Sequence, residues 1–197
     1  MKKATFTNRL AAFLIDFIII SLIGGLITQG LTTKKIEKLN NELQDVITEY
    51  TQGEMTMEDY LENTNEISYE LEKASLPMNT VYVVLYIGYF IIFQFLNKGQ
   101  TIGKKIMKIK VVSKDKKEPS LMQIIIRTIF VDQIILNLLA IILLMLVSKE
   151  LFIKLNYVIT GIQYLFIIVT SIMILYRKDK LSLHDIMSKT MVVKEGK

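Results

Sequence analysis

The chain has 197 residues, 51% of them hydrophobic, with a mean hydropathy of +0.39 and a formal net charge of +5. It has no cysteine and a single histidine, His184, which excludes disulfides, thiolate metal sites and multi-histidine metal sites. The apolar residues are gathered into long blocks separated by charged connectors, a pattern of membrane proteins rather than of soluble or nucleic-acid-binding ones.

Four blocks are long enough to cross a hydrocarbon core about 30 Å thick, which needs roughly 20 residues of helix. They cover 10–31, 78–96, 124–147 and 157–176. The first follows Lys2 and Lys3, as a signal peptide would. Its apolar run is too long for one, Asp16 interrupts it, and no small-residue cleavage site follows, so it reads as a retained span. The connector at 32–76 carries apolar residues at spacings of three and four: Ile36, Leu39, Leu43, Val46 and Tyr50, then Met57, Tyr60, Thr64, Ile67 and Leu71. This predicts an antiparallel helical hairpin broken near Gly53, with Thr56 and Asp59 opening its second helix. It serves either as a solubilising spacer or as a partner-binding face. Pro77 suits the first turn of the second span.

The connector at 97–120 is basic. Ile102, Ile106 and Ile109 share a helical face among lysines, as in a short helix lying on an anionic membrane surface. KIKVV then alternates like a strand, and Ser120 to Gln123 has the capping-box pattern that opens the third span. The tail at 177–197 has a related look. TIGKKIMKIKVV (101–112) and SLHDIMSKTMVV (182–193) align without gaps, sharing a hydroxyl residue first, lysine eighth and a final Val–Val. Either this is chance in a Lys- and Ile-rich chain, or the protein is a duplicated unit of two spans and a tail, its halves parallel about the membrane normal.

Charge sets the predicted orientation. The 32–76 connector has four lysines against eleven acids, net −7, whereas 97–118 has eight lysines against two acids, net +6. With both ends also basic, the positive-inside rule predicts that the termini and the 97–120 loop are cytoplasmic.

Two spans carry charges that hydrocarbon disfavours: Arg9 and Asp16 in the first, Arg127 and Asp132 in the third. A charge at a span centre costs on the order of 2.5–3.5 kcal/mol on insertion scales, so it faces the bundle and finds a partner. Seven residues separate Arg9 from Asp16 and five separate Arg127 from Asp132, so pairing within a helix is poor. Pairing between helices, Arg127 with Asp16 or Arg9 with Asp132, fits the depths better. Only three of the 24 basic residues are arginine, and Arg9, Arg127 and Arg177 all stand at the same end of their spans, with lipid phosphate as the simplest partner for Arg177. The aspartates then fit two classes: carboxylates that exchange protons or cations, or a buried network that fixes helix register. His184 adjoins Asp185, but neighbours on a helix point apart and no Ser or Cys nucleophile motif accompanies them, so no enzyme activity and no cofactor is expected. Asp185 is expected to cap its short helix or to meet a lysine or arginine of the basic loop. GQTIGK lacks the spacing and preceding strand of a phosphate-binding loop and reads as a turn.

The ordered set NRLAAFLIDFII, NKGQTIGKKIMKIKVVSKD, IIIRTIFVDQII and LSLHDIMSKTMVV resembles the RDD family of bacterial membrane proteins, named for one arginine and two aspartates. The resemblance runs from Thr7 to Val193 and implies one all-α membrane domain over 1–197, with four spans, in the bacterial cell membrane. It assigns Arg9 and Asp16 to the family's first two positions and leaves the second aspartate open between Asp132 and Asp185. It implies either sodium/proton antiport or an accessory role in another membrane system, and the 32–76 connector is longer than the resemblance implies. The expected partners are anionic lipid headgroups, Na⁺, Li⁺ or K⁺ with protons if the chain transports, and a second copy or another membrane protein, since four helices are few for a pathway.

Overall fold

The computed structural model describes residues 1–131 and 134–195. Thr5 accepts from the Asn8 N–H and so starts α1 (Phe6–Thr28) one turn before the apolar block begins; a 3₁₀ turn extends it to Leu31. Thr33 and Thr56 cap α2 (Lys34–Gln52) and α3 (Met57–Ala74) in the same way, and Gly53, with φ of 78°, ends α2 in the left-handed conformation that favours glycine. These two helices pack along each other, with Tyr50 stacked on Tyr60 at 4.3 Å and Lys35 paired to Glu70 at 2.7 Å. Pro77 lies in the first turn of α4 (Leu76–Tyr86). That helix continues through a π-helical stretch at Ile87–Phe93 into the single turn α5 (Gln94–Leu96). The widened stretch was not expected from sequence. It gathers Tyr86, Tyr89, Phe90 and Phe93 in one aromatic cluster against Ile20 of α1, two stacked pairs joined edge to face at Tyr89 and Phe90. Higher on the same helix pair, Gly24 admits the ring of Tyr82; a Cβ there would lie 2.7 Å from its Cζ.

The remaining elements are α6 (Ile102–Ile106), β1 (Ile109–Ser113), α7 (Leu121–Val131), α8 (Ile134–Leu146), α9 (Lys149–Tyr176), α10 (Leu183–Met187) and β2 (Thr190–Lys194). Among the described residues three helical segments are long and apolar enough to cross a membrane, Phe6–Leu31, Leu76–Leu96 and Lys149–Tyr176. The block at 124–147 is not the straight span expected of it, because α7 and α8 are inclined by 62°; counted together they make a fourth. Their surroundings differ: α7 turns Arg127 and Thr128 into the protein, while Ile135, Ile142 and Met145 of α8 face outward. The last span begins at Lys149 rather than 157. Ser148 caps it, and its first turns pack on α3 through Phe152 and Tyr69.

The chain is mostly helical, as expected of an all-α membrane protein, with one small addition. The two juxtamembrane segments each form a short helix and a strand, the first where KIKVV alternates, and the strands pair antiparallel with Val111 opposite Val192. Ile109, expected on the helical face of Ile102 and Ile106, instead lies in β1 and is buried, since α6 stops at Ile106. The two segments match residue for residue: Thr101 and Ser182 are the N-caps, and Lys108 and Lys189 both turn the chain at φ of 52°. The Glu195 N–H donates to the Lys108 carbonyl just as the Lys114 N–H donates to that of Lys189. The sheet thus has a local two-fold axis through Val111 and Val192, the geometry that a duplicated unit generates. The amino terminus joins it by the Lys3–Val193 bridge, and Ala4, Ala12, Ile109, Val111 and Val192 form its core beneath α1.

The paired left-handed turns yield a stability prediction. A β-branched side chain is a strong outlier at positive φ, so Lys108→Val and Lys189→Val should each cost about 1–2 kcal/mol. Glycine at either position should be tolerated. Thermal unfolding of the purified protein in detergent measures the order.

Candidate functional site

The charges of the spans meet the sheet layer, but in pairings that sequence reasoning did not anticipate. Asp185, fully buried, stands between both arginines: its Oδ2 accepts from Arg9 Nη1 at 2.6 Å and its Oδ1 from Arg127 Nη1. Asp185 is also the third residue of α10, where it completes a capping box by accepting from the Ser182 N–H at 3.1 Å. The forked guanidinium groups use their further donors on fixed oxygens. Arg9 Nη2 donates to the Lys180 carbonyl at 2.8 Å, and Arg127 Nη1 to Thr190 Oγ1 at 3.2 Å. Burial by itself would push the Asp185 carboxyl up, but the charges of Arg127 and Arg9 prevail and hold it well below the ordinary carboxylate range. The cap expected of Asp185 is therefore present, and its arginines come from two spans rather than from the basic loop.

Asp16 does not meet Arg127. It reaches the amino end of α6 instead, where three donors fill it: Tyr89 Oη at 2.6 Å and the Gly103 N–H at 2.7 Å on Oδ1, and Thr101 Oγ1 at 2.5 Å on Oδ2. Gly103 is required here. A Cβ would sit 2.8 Å from Asp16 Oδ1 and 2.9 Å from Cγ, and closer still to the Ala12 carbonyl. Tyr89 Oη also accepts from the Ile102 N–H at 3.0 Å, and buried Gln94 accepts from Lys104 Nζ at 2.9 Å. Asp132 lies outside the described residues, and Arg9, its expected partner, is engaged by Asp185. Arg177 pairs with its neighbour Asp179 at 2.7–2.9 Å on the surface, apart from this network.

Tyr89, Thr101, Gly103, Gln94 and Ser182 were not picked out from sequence as site residues. The usable signal was the repeated hydroxyl–X–X pattern at 101 and 182, since a hydroxyl cap satisfies one N–H of the first turn and leaves others open to an acceptor. His184 follows Ser182 into the protein and is buried; burial first, then the charge of Arg127, hold its imidazole well below the ordinary 6.5. Among the described residues there is no cluster of three or more His, Cys, Asp or Glu that could hold a metal ion.

The model of the RDD family matches residues 3–189. This chain belongs to the RDD family. No curated protein and no solved structure matches it. The RDD match covers the whole of the first juxtamembrane segment and the second as far as Lys189, and includes Arg9, Asp16, Arg127 and Asp185; Thr190 and the rest of β2 lie beyond it.

Two measurements follow from this geometry. Asp185→Asn leaves two buried arginines with no carboxylate and should cost about 3–5 kcal/mol, the usual result of removing one partner of a buried ion pair. Gly103→Ala should cost less, about 1–3 kcal/mol, as overpacking does. The pH dependence has a worked sign. An unfolded imidazole takes a proton below about pH 6.5 while buried His184 stays neutral, so stability falls as pH drops through that value. Asp185 adds a second loss only below about pH 4, where an unfolded carboxylate protonates first. His184→Gln should remove the slope between pH 6.5 and 5 and leave the more acidic one, read from thermal midpoints across a pH series.

Proposed function

We propose that this RDD-family chain is a non-enzymatic accessory protein of the bacterial cell membrane that binds rather than transports, its buried charges serving to latch the sheet onto the spans. The observation that carries this reading is that both buried carboxylates among the described residues, Asp16 and Asp185, are filled by protein donors. Asp16 accepts three hydrogen bonds, and Asp185 accepts from two arginines and a backbone N–H. A carboxylate that exchanges ions needs an oxygen free for the ion, or donors that leave easily. Here each donor is itself fixed by a helix cap, a sheet residue or a second hydrogen bond.

Supporting a cytoplasmic position for both termini and for the 97–120 loop, the amino terminus, β1 and β2 meet in one lysine-rich layer, the side that the positive-inside rule places inside. The acidic pair α2 and α3 then projects outward as the face offered to a protein partner, and the basic layer meets anionic lipid headgroups. Three to four spans also suit a homo-oligomer or a larger complex.

A second reading, cation/proton exchange at Asp16, has one observation in its favour: Asp16 borders a cavity between the spans. Proteoliposomes carrying a pH dye and given pulses of Na⁺, Li⁺ and K⁺ separate the two. The accessory reading expects no flux above empty liposomes from folded wild-type protein. A cation-selective flux that disappears in Asp16→Asn would replace it with transport.

A further inference from the structure

The spans also carry polar residues away from the charge network. On the side of α2 and α3 a cavity of about 410 Å³ opens between α4, α8 and α9, and a second of about 280 Å³ adjoins it against α3. Glu72, Phe152 and Asn156 line both, so the two form one cleft. It runs from the last turn of α3 to Asn137 and Gln163, and Gln163 stands midway along α9. The surface of this cleft is mostly polar, whereas that of the cavity beside Asp16 is mostly apolar. Asn156, Thr160 and Gln163 follow one another at spacings of four and three, which gives α9 a polar face toward the cleft. Polar groups in a span are accommodated where they meet another helix or a water-filled cavity. Gln163 meets α8, donating to Asn137 Oδ1 at 3.2 Å. Asn156, Thr160 and Tyr82 are half-buried and, among the described residues, make no side-chain hydrogen bond to the protein. Their polar groups are left for whatever occupies the cleft.

Charge and size define the chemistry of that occupant. Among the described residues Glu72 is the one charged side chain lining the cleft, and no lysine or arginine lines it. Glu72 Oε2 accepts from Asn79 Nδ2 at 3.1 Å, and Glu72 has no ion pair among the described residues. The lysines of adjoining turns are engaged elsewhere. Lys73 Nζ lies 5.4 Å over the ring of Tyr69, and Lys149 pairs with Glu66 at 2.6 Å. Desolvation accordingly raises the Glu72 carboxyl above its ordinary value, with only the Asn79 bond opposing it. A positive ligand would relieve that desolvation. The cleft has the size of a small-molecule site, for which about 300–1,000 Å³ is usual, and is far larger than a bare metal ion. The oxygens of Glu72, Asn156 and Thr160 can accept from the three N–H groups of an ammonium. Leu144, Ile159 and the ring of Phe152 line the same space and suit an apolar tail. We propose that this cleft binds an organic cation, a primary amine whose ammonium sits at Glu72 and whose apolar tail lies between α4, α8 and α9.

The site goes beyond the accessory reading and does not depend on it, because an amine can bind in the cleft whether or not ions cross the membrane. Equilibrium binding of tritiated 2-phenylethylamine to the full-length protein in nanodiscs, with empty nanodiscs as the blank, tests it without measuring flux. The expected result is saturable binding of one amine per chain, displaced at least tenfold less well by the neutral 2-phenylethanol. Glu72→Gln keeps an acceptor for Asn79 and removes only the charge, and should weaken binding about tenfold. Asn156→Leu replaces a polar wall with an apolar one of similar size and should also weaken it, with the thermal midpoint reporting folding in both variants. Absence of saturable binding above the blank overturns the proposal, as does equal displacement by amine and alcohol, or amine binding unchanged in Glu72→Gln. Displacement by sodium chloride at the same concentration as the amine would assign the site to an inorganic cation and overturn it too.

Discussion

The fold depends on one buried carboxylate held between two arginines. Asp185 joins residues 176 and 58 positions away in sequence, tying the first span and α7 to the short helix after the last span. Remove its charge and two largely buried guanidinium groups remain without a carboxylate. Retain it, and the cost of burial is offset by charged hydrogen bonds on both oxygens and by a backbone N–H. At Arg9 the geometry also explains why a chain so rich in lysine keeps arginine. Its two terminal nitrogens reach Asp185 and the Lys180 carbonyl separately, and an ammonium lacks the flat fork that holds both at fixed angles; Arg127 spends Nη1 on both Asp185 and Thr190.

The two halves solve the same problem with opposite chemistry. Thr101 and Ser182 cap equivalent short helices, and at each amino end a carboxylate accepts from a backbone N–H, Asp16 from Gly103 and Asp185 from Ser182 itself. In the second copy that carboxylate belongs to the short helix itself, at Asp185, and the span supplies arginine. In the first copy the equivalent position is Lys104, which turns to Gln94, and the span supplies the carboxylate, Asp16. Tyr89 and Thr101 are neutral donors, so this second carboxylate needs no arginine. The likeness of the two segments therefore holds in backbone and caps, while their charges stand on opposite sides.

Much of this was legible in the amino-acid sequence, and the failures have physical causes. Long apolar runs marked the spans, and Thr56 and Ser120 marked where α3 begins and where the third span opens. The repeat at 101 and 182 was visible as a pattern, but its pairing into a sheet was not, because the strands are five residues long and lie 81 positions apart. Apolar length misplaced the helix ends at Phe6 and Lys149, since capping and not hydropathy starts a helix. The inclination of α7 to α8 left no mark on hydropathy. Depth along the membrane suggested which charges could meet, and it failed for Asp16 because depth does not say which face of α1 meets α6. The hydroxyl of Tyr89, brought round by the π-helical stretch, could not be inferred from helical periodicity at 3.6 residues per turn.

A carboxylate in the first span is then understandable without ion exchange. Its insertion costs on the order of 2.5–3.5 kcal/mol, while each hydrogen bond to a charged group returns about 1.5–3 kcal/mol, so the three at Asp16 are enough to hold it there. Two of the three donors come from the first turn of α6, so the same bonds fix that helix to α1 and, through it, β1 to the core beneath. An entering cation would have to displace those donors and with them the docking of the sheet. Among the described residues, no oxygen of either carboxylate lacks a protein donor. Both carboxylates are thus filled by the protein alone.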